Sequence, residues 1–246
     1  MNETYYADAR LSATEIKAFA LGGPFALRHA RDEKDSPALK LGRAIHAAVL
    51  TPEDFHAHYA AQQFDGRTKE GKAEKANAEE QGITLLSQED FNACVRAEDL
   101  LPALQLLETE KEYYTDSLKC KIDGYDRKMA RLVEFKTISD IFSAEKDFWA
   151  RAYDLQLGHY ANVLAANGVP VDSCEIVFFS PSQNMSTFIE IAPEQLAEFQ
   201  ERATLFANKA LAVKSQDEKM DMAVLPSAGL GPRPDWVANK EDVFLL

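Results

Sequence analysis

The sequence is poor in cysteine, has no long apolar run and carries no surplus of bases. Each shortage excludes something. Three scattered cysteines, Cys94, Cys120 and Cys174, form no CxxC or Cys/His cluster, so no disulfide framework or zinc centre is encoded. Reduced, packing thiols are expected. No segment approaches the roughly 20 apolar residues that span a bilayer, and Met1 to Arg10 carries acids rather than a basic, then apolar leader. The expectation is a cytoplasmic protein with no membrane partner. Eleven Gly and ten Pro are too few for a collagenous or low-complexity chain. With 27 Lys and Arg against 40 Asp and Glu, the net charge is −13, which argues against a basic nucleic-acid coat protein. It leaves room for a nuclease whose few bases line one cleft, because net charge is not charge distribution.

What is present suffices for one sizeable core: 246 residues, 46% of them apolar. One domain is expected over 1–215, followed by an irregular tail over 216–246 that holds Pro226, Pro232 and Pro234. Helical spacing covers 11–20, with Ser12 as N-cap and Glu15 closing a capping box. It recurs over 39–50, and over 52–62 with Pro52 at the tolerated first position. A basic, glycine-bearing loop, 65–72, leads into a polar helix ending near Gly82, and Ser87 caps another helix running to about 107. The texture then changes. Alternation predicts a strand over 113–123, a turn from Gly124 and a second hairpin strand over 131–137. Helical patterns over 142–166, strands over 173–180 and 187–191 and a long helix over 193–213 complete the chain. The fold class this predicts is α/β, a small mixed β-sheet flanked by α-helices.

The informative chemistry lies at the hairpin. Acid-x-Lys triplets also start at Glu15, Asp32, Glu70, Asp126 and Asp217, so the triplet at Glu134 means nothing alone. Its setting does. Alternation puts Val133 and Phe135 on one face of a strand and Glu134 and Lys136 on the other. Asp123 falls opposite Leu118, Cys120 and Ile122, so adjoining strands can present Asp123, Glu134 and Lys136 together. Two hard carboxylates suit Mg²⁺ or Mn²⁺. A lysine beside them could orient an attacking water and balance developing charge. On spacing alone, a solvated strand face reads the same way. His46 sits just off the apolar stripe of Leu41–Leu50, and Gln156 and Tyr160 lie four apart on one helix face.

In order, Leu-Gly-x-Ala-x-His, Asp, ten residues, Glu-x-Lys and Gln-x-x-x-Tyr resemble the PD-(D/E)XK nuclease superfamily. The pattern is most similar to the RecE-like exonuclease domain of exodeoxyribonuclease VIII. Leu11–Ile16 resembles that family's opening helix, Leu41–Phe55 its histidine helix and Gly66–Lys72 its basic loop, so the likeness covers most of residues 4–215. It implies a restriction-endonuclease-like core, with metal ligation by His46, Asp123, Glu134 and the main-chain carbonyl of Phe135. It also implies Lys136 as catalytic lysine, and Gln156 and Tyr160 as residues that position the scissile strand or the metal network. The implied activity is a Mg²⁺-dependent exonuclease, with Mn²⁺ able to substitute. It digests one strand of linear duplex DNA 5′ to 3′ and leaves 3′ tails for an annealing protein of the RecT type. Members are encoded by phages or prophages in bacterial hosts and assemble as rings, a homotetramer or homotrimer. Two departures stand: Ile122 where many members have Pro, and Glu134 in place of Asp.

Such an enzyme grips phosphates rather than bases. Arg28, Arg31, Arg43, Arg67, Lys69 and Lys72 are the candidates, with Thr68 beside Arg67, and Lys119 and Lys121 flanking Asp123. Singly, each also reads as a solvated surface charge. Two other functions fit the residues: an endonuclease or repair nuclease on the same core, and a catalytically silent DNA-binding module.

Overall fold

A five-stranded mixed sheet organises the computed structural model, which describes residues 3–31 and 36–217. Helices α1 (Glu3–Ala7), α2 (Ala13–Arg28), α3 (Pro37–Leu50) and α4 (Pro52–His58) lead to strand β1 (Tyr59–Ala61). Helix α5 (Lys69–Glu80), strand β2 (Thr84–Leu86) and helix α6 (Gln88–Leu100) follow. Then come β3 (Glu108–Thr109), β4 (Glu112–Tyr114), β5 (Lys119–Lys121), β6 (Gly124–Asp126) and β7 (Arg131–Thr137). Helices α7 (Ala144–Ala150) and α8 (Tyr153–Ala166), strands β8 (Ser173–Ser180) and β9 (Met185–Ile191), and helix α9 (Pro193–Asp217) end the described chain. The irregular tail expected over 216–246 begins inside α9, which takes in residues 216 and 217; from 218 onward it lies outside the described residues.

The sheet order is β3-β6-β7-β8-β9, and only β7 and β8 are parallel within it. A parallel pair needs a long crossover, which α7 and α8 supply. Strand β8 carries an unbroken apolar run, Ile176–Phe179, because both its faces are covered there. Ile176 and Phe178 pack with Leu157, Leu164 and Phe199 on one side; Val177 and Phe179 pack with Ile45, Val49 and Phe55 on the other. Helices α8 and α9 touch so closely that a Cβ on Gly158 would lie 2.1 Å from the Phe199 carbonyl oxygen.

The mixed α/β architecture is the expected one, but several boundaries move. Helix α2 does not stop at Ala20; it continues through a kink at Gly23 (φ 66°) and Pro24 to Arg28. The helix from Pro52 ends at His58 rather than 62, because Tyr59–Ala61 pairs in parallel with β2. Helix α6 ends at Leu100 instead of 107, since Pro102 cannot donate its missing N–H and the chain tightens into a 3₁₀ turn over Pro102–Leu106. The long strand expected over 113–123 is a hairpin, β4 with β5, and the turn placed at Gly124 falls instead after Asp126, because Gly124–Asp126 pairs with β7. Ala152, in the left-handed region at φ 51°, divides the helix expected over 142–166. The basic loop is shorter than read. Thr68 caps α5 by accepting from the Gly71 N–H, so Lys69 and Lys72 ride on a first helical turn.

Candidate active site

Strand β7 carries the site. Val133 and Phe135 face the α3 cluster, as the alternation requires, leaving Glu134 and Lys136 toward α8. Asp123 stands in the link between β5 and β6, next to β7. Its Oδ2 accepts from the Phe135 N–H at 2.9 Å and lies 3.4 Å from Lys136 Nζ. The Lys136 ammonium also donates to Glu134 Oε1, so one cation bridges the two acids. Helix α3 brings His46 across the sequence: its Nε2 lies 3.2 Å from Asp123 Oδ2 and 3.1 Å from the Phe135 carbonyl oxygen. From α8, the Gln156 amide nitrogen donates to Glu134 Oε1 and, at 3.2 Å, to the Tyr160 hydroxyl. The structure therefore brings together His46, Asp123, Glu134, Phe135, Lys136, Gln156 and Tyr160.

Two further side chains belong here. Glu110, between β3 and β4, faces His46 with Oε1 3.7 Å from Nδ1, and pairs on its other side with Lys121. Lys17 of α2 donates to Gln156 Oε1 at 2.6 Å. Neither was legible in local sequence. Glu110 resembles any other acid until β3 pairs with β6 beside Asp123. Lys17 offered only a basic side chain next to the apolar stripe of α2.

Electrostatics follow from burial. Glu134 and Asp123 are 1% and 8% exposed. Burial, then the neighbouring Asp123 carboxylate, outweigh Lys136 and push the Glu134 carboxyl up to about 8. Burial also opposes ionisation of Asp123, but His46 and Lys136 prevail and hold it below the usual carboxylate range. The counterpart shifts go upward. Burial disfavours the charged forms of His46 and Lys136, and the surrounding acids more than compensate: Asp123 with Glu110 at His46, and Asp123 with Glu134 at Lys136.

The donor set fits a hard divalent ion. One oxygen of the Glu134 carboxylate, Oε2, is buried without a hydrogen-bond partner, which leaves it available to a metal ion. His46, Glu110 and Asp123 can each offer a ligand atom within 4.8 Å of the others. Glu134 is outside that trio and joins Asp123 through Lys136. Carboxylates, a main-chain carbonyl and one imidazole favour Mg²⁺ or Mn²⁺ over softer metals.

The expected phosphate contacts are dispersed. Arg43 is exposed on α3, one turn before His46, and Lys121 borders the site through Glu110. Arg28 lies at the end of α2, while Arg31 donates to the Tyr6 and Asp8 carbonyls and to Glu15. Arg67 forms an exposed ion pair with Asp65 at 2.7 Å, and Thr68 is spent on capping α5. Lys69 and Lys72 are exposed on α5. Lys119 does not flank Asp123. It is buried under the N-terminal segment, where its ammonium donates to the Asp8 carbonyl at 2.8 Å and lies 4.6 Å from the Tyr5 ring centre.

No family model matches the chain, and no curated protein matches it in sequence. Among solved structures it is similar to a "Putative exonuclease" from Eubacterium rectale, at 16% identity and a TM-score of 0.59, over 95% of this chain and 93% of that one. A phage-related exonuclease from Haemophilus somnus 129PT aligns over 87% of this chain and 98% of its own at 13% identity, with a TM-score of 0.38. The likeness that carries weight is the first, and it shows that the chain has the fold of the Eubacterium rectale protein.

Proposed function

We propose that the protein is a divalent-metal-dependent nuclease of the PD-(D/E)XK type that hydrolyses DNA. The observation that carries this reading is the unpartnered Glu134 Oε2, buried beside an Asp123 carboxylate that His46 and Lys136 keep ionised. His46, Asp123, Glu134 and the Phe135 carbonyl would hold the ion. Mg²⁺, when bound, acidifies water, polarises the phosphodiester and steadies the leaving oxygen.

The chain's own residues do the rest. Lys136, clamped between two acids with its pKa raised, stays protonated at neutral pH, so it orients the attacking water and offsets developing negative charge rather than removing a proton. Gln156 fixes the rotamer of Glu134 and ties it to Tyr160. Arg43, Arg67, Lys69, Lys72 and Lys121 are the cations we assign to the phosphate backbone. At finer grain, the reading is a 5′ to 3′ exonuclease on linear duplex ends, working as a homo-oligomeric ring and leaving 3′ tails for a RecT-type annealing partner in a bacterial cytoplasm.

Incubation of linear and covalently closed duplex with Mg²⁺ tests the reading. Nucleotides released from the linear DNA and an intact circle are the expected result. Cleavage of the circle would make it an endonuclease, and no cleavage of either would end the nuclease reading.

A further inference from the structure

Lys17 is a half-buried ammonium whose nearest polar partner is neutral. Its Nζ donates to Gln156 Oε1 at 2.6 Å and lies 4.9 Å from the centre of the Tyr153 ring. Among the described residues, no carboxylate forms an ion pair with it. An ammonium donates and never accepts, whereas a glutamine amide has one accepting and one donating end. With Lys17 in place, the amide oxygen must face the ammonium, and the NH₂ must face Glu134 and Tyr160. The flipped amide would set NH₂ against a cation and its oxygen against a carboxylate. With Glu134 ionised, as metal binding requires, both contacts are repulsive.

The consequence reaches Glu134. Lys136 and the Gln156 amide both occupy Oε1, which leaves Oε2 as the uncommitted oxygen. Lys17 is itself held in position by the start of α2. Glu15 closes the capping box with Ser12 and is gripped by Arg31 and Lys214, which fixes the first turn of α2, directly ahead of Lys17.

We propose that Lys17 is a positioning residue: by fixing the Gln156 amide, it presents Glu134 Oε2 for metal binding. This rests on the nuclease reading of the site. Because outer partners of metal ligands commonly matter about 10- to 100-fold in affinity, the effect should be measurable without turnover.

The test is calorimetric titration of Mn²⁺ into the full chain without DNA, for wild type, Lys17→Met, Lys17→Arg, Gln156→Ala and the Lys17→Met/Gln156→Ala double variant, with thermal melts to establish folding. Lys17→Met should bind Mn²⁺ about tenfold more weakly, and Lys17→Arg should recover most of that loss. In the Gln156→Ala background, Lys17→Met should change affinity less than about twofold, as expected when one residue acts through the other. Should Lys17→Met fail to fold, Lys17→Gln carries the same comparison. Wild-type affinity in the neutral variants, or an equal loss in both backgrounds, would overturn the proposal while leaving the nuclease reading intact. A wild-type chain that neither binds Mn²⁺ nor cuts DNA would remove both.

Discussion

His46 and Asp123 meet at 3.2 Å although one rides on α3 and the other links β5 to β6. What joins them is β7. The Phe135 N–H holds the Asp123 carboxylate and the Phe135 carbonyl faces the imidazole, so the backbone of one strand residue gathers both side chains. His46→Ala should therefore weaken Mg²⁺ binding, shifting the half-activating concentration upward about tenfold or more. The assay is nucleotide release against Mg²⁺ concentration, and an unmoved midpoint would remove His46 from the ligand set.

Lys136→Ala removes the bridging ammonium. The chemical step should slow by about 10²- to 10³-fold, while KM for DNA changes little. Single-turnover kinetics on linear duplex would report it. A loss confined to KM would mean that Lys136 serves only DNA binding.

The raised pKa of Glu134 makes a linkage prediction. Its folded-state value, about 8, exceeds the ordinary glutamate value of 4.5. Its contribution is thus fully present at pH below 4.5 and is lost as pH climbs toward 8. In EDTA, wild type should lose stability across that interval, and Glu134→Gln should lose less, melting higher at pH 8 while being inactive. Parallel melting profiles for the two proteins would contradict this.

His159 behaves oppositely. Buried in α8, with Nε2 2.9 Å from the Lys119 carbonyl, it is driven down to about 4 chiefly by burial. The unfolded chain takes up a proton near pH 6.5 and the folded one does not, so stability falls from there toward pH 4, by roughly 3 kcal/mol in all. Urea unfolding of His159→Gln should show a shallower acid slope than wild type.

Gly158→Ala should destabilise by about 3 kcal/mol, the upper end of overpacking costs, because the obstructing atoms at Phe199 are main chain rather than a yielding side chain. Denaturant midpoints would show it, and a neutral substitution would mean that α8 and α9 separate freely.

Phosphate contacts predict DNA binding that weakens steeply with salt. Fluorescence anisotropy between low and physiological salt measures the slope. A flat response would remove Arg43, Arg67, Lys69, Lys72 and Lys121 from the interface together.

Much of this arrangement could be read in advance where a local rule governs it. The Ser12–Glu15 box, the alternation in β7 and the apolar run of β8 are each set by neighbours in sequence, and each appears where the pattern places it. Strand breaks were less legible. The alternation over 113–123 spans two short strands, because alternation persists across a tight hairpin and says nothing of where the chain reverses. Pairing between distant segments was illegible altogether. Lys119 looked like a neighbour of Asp123 until the bridge between Leu11 and Leu118 laid the N-terminal segment over it. Glu110 and Lys17 acquire meaning only once the sheet and α2 are assembled.

The carboxylate of Glu15 gathers Ser12, Arg31 and Lys214 at one point, so the last turns of α9 steady the first turn of α2. A chain cut short ahead of Lys214 would keep every residue we assign to the metal and to DNA and still leave Lys17 on a loosened anchor. Damage at the far end of the polypeptide would then surface as poor metal retention, long before it surfaced as misfolding.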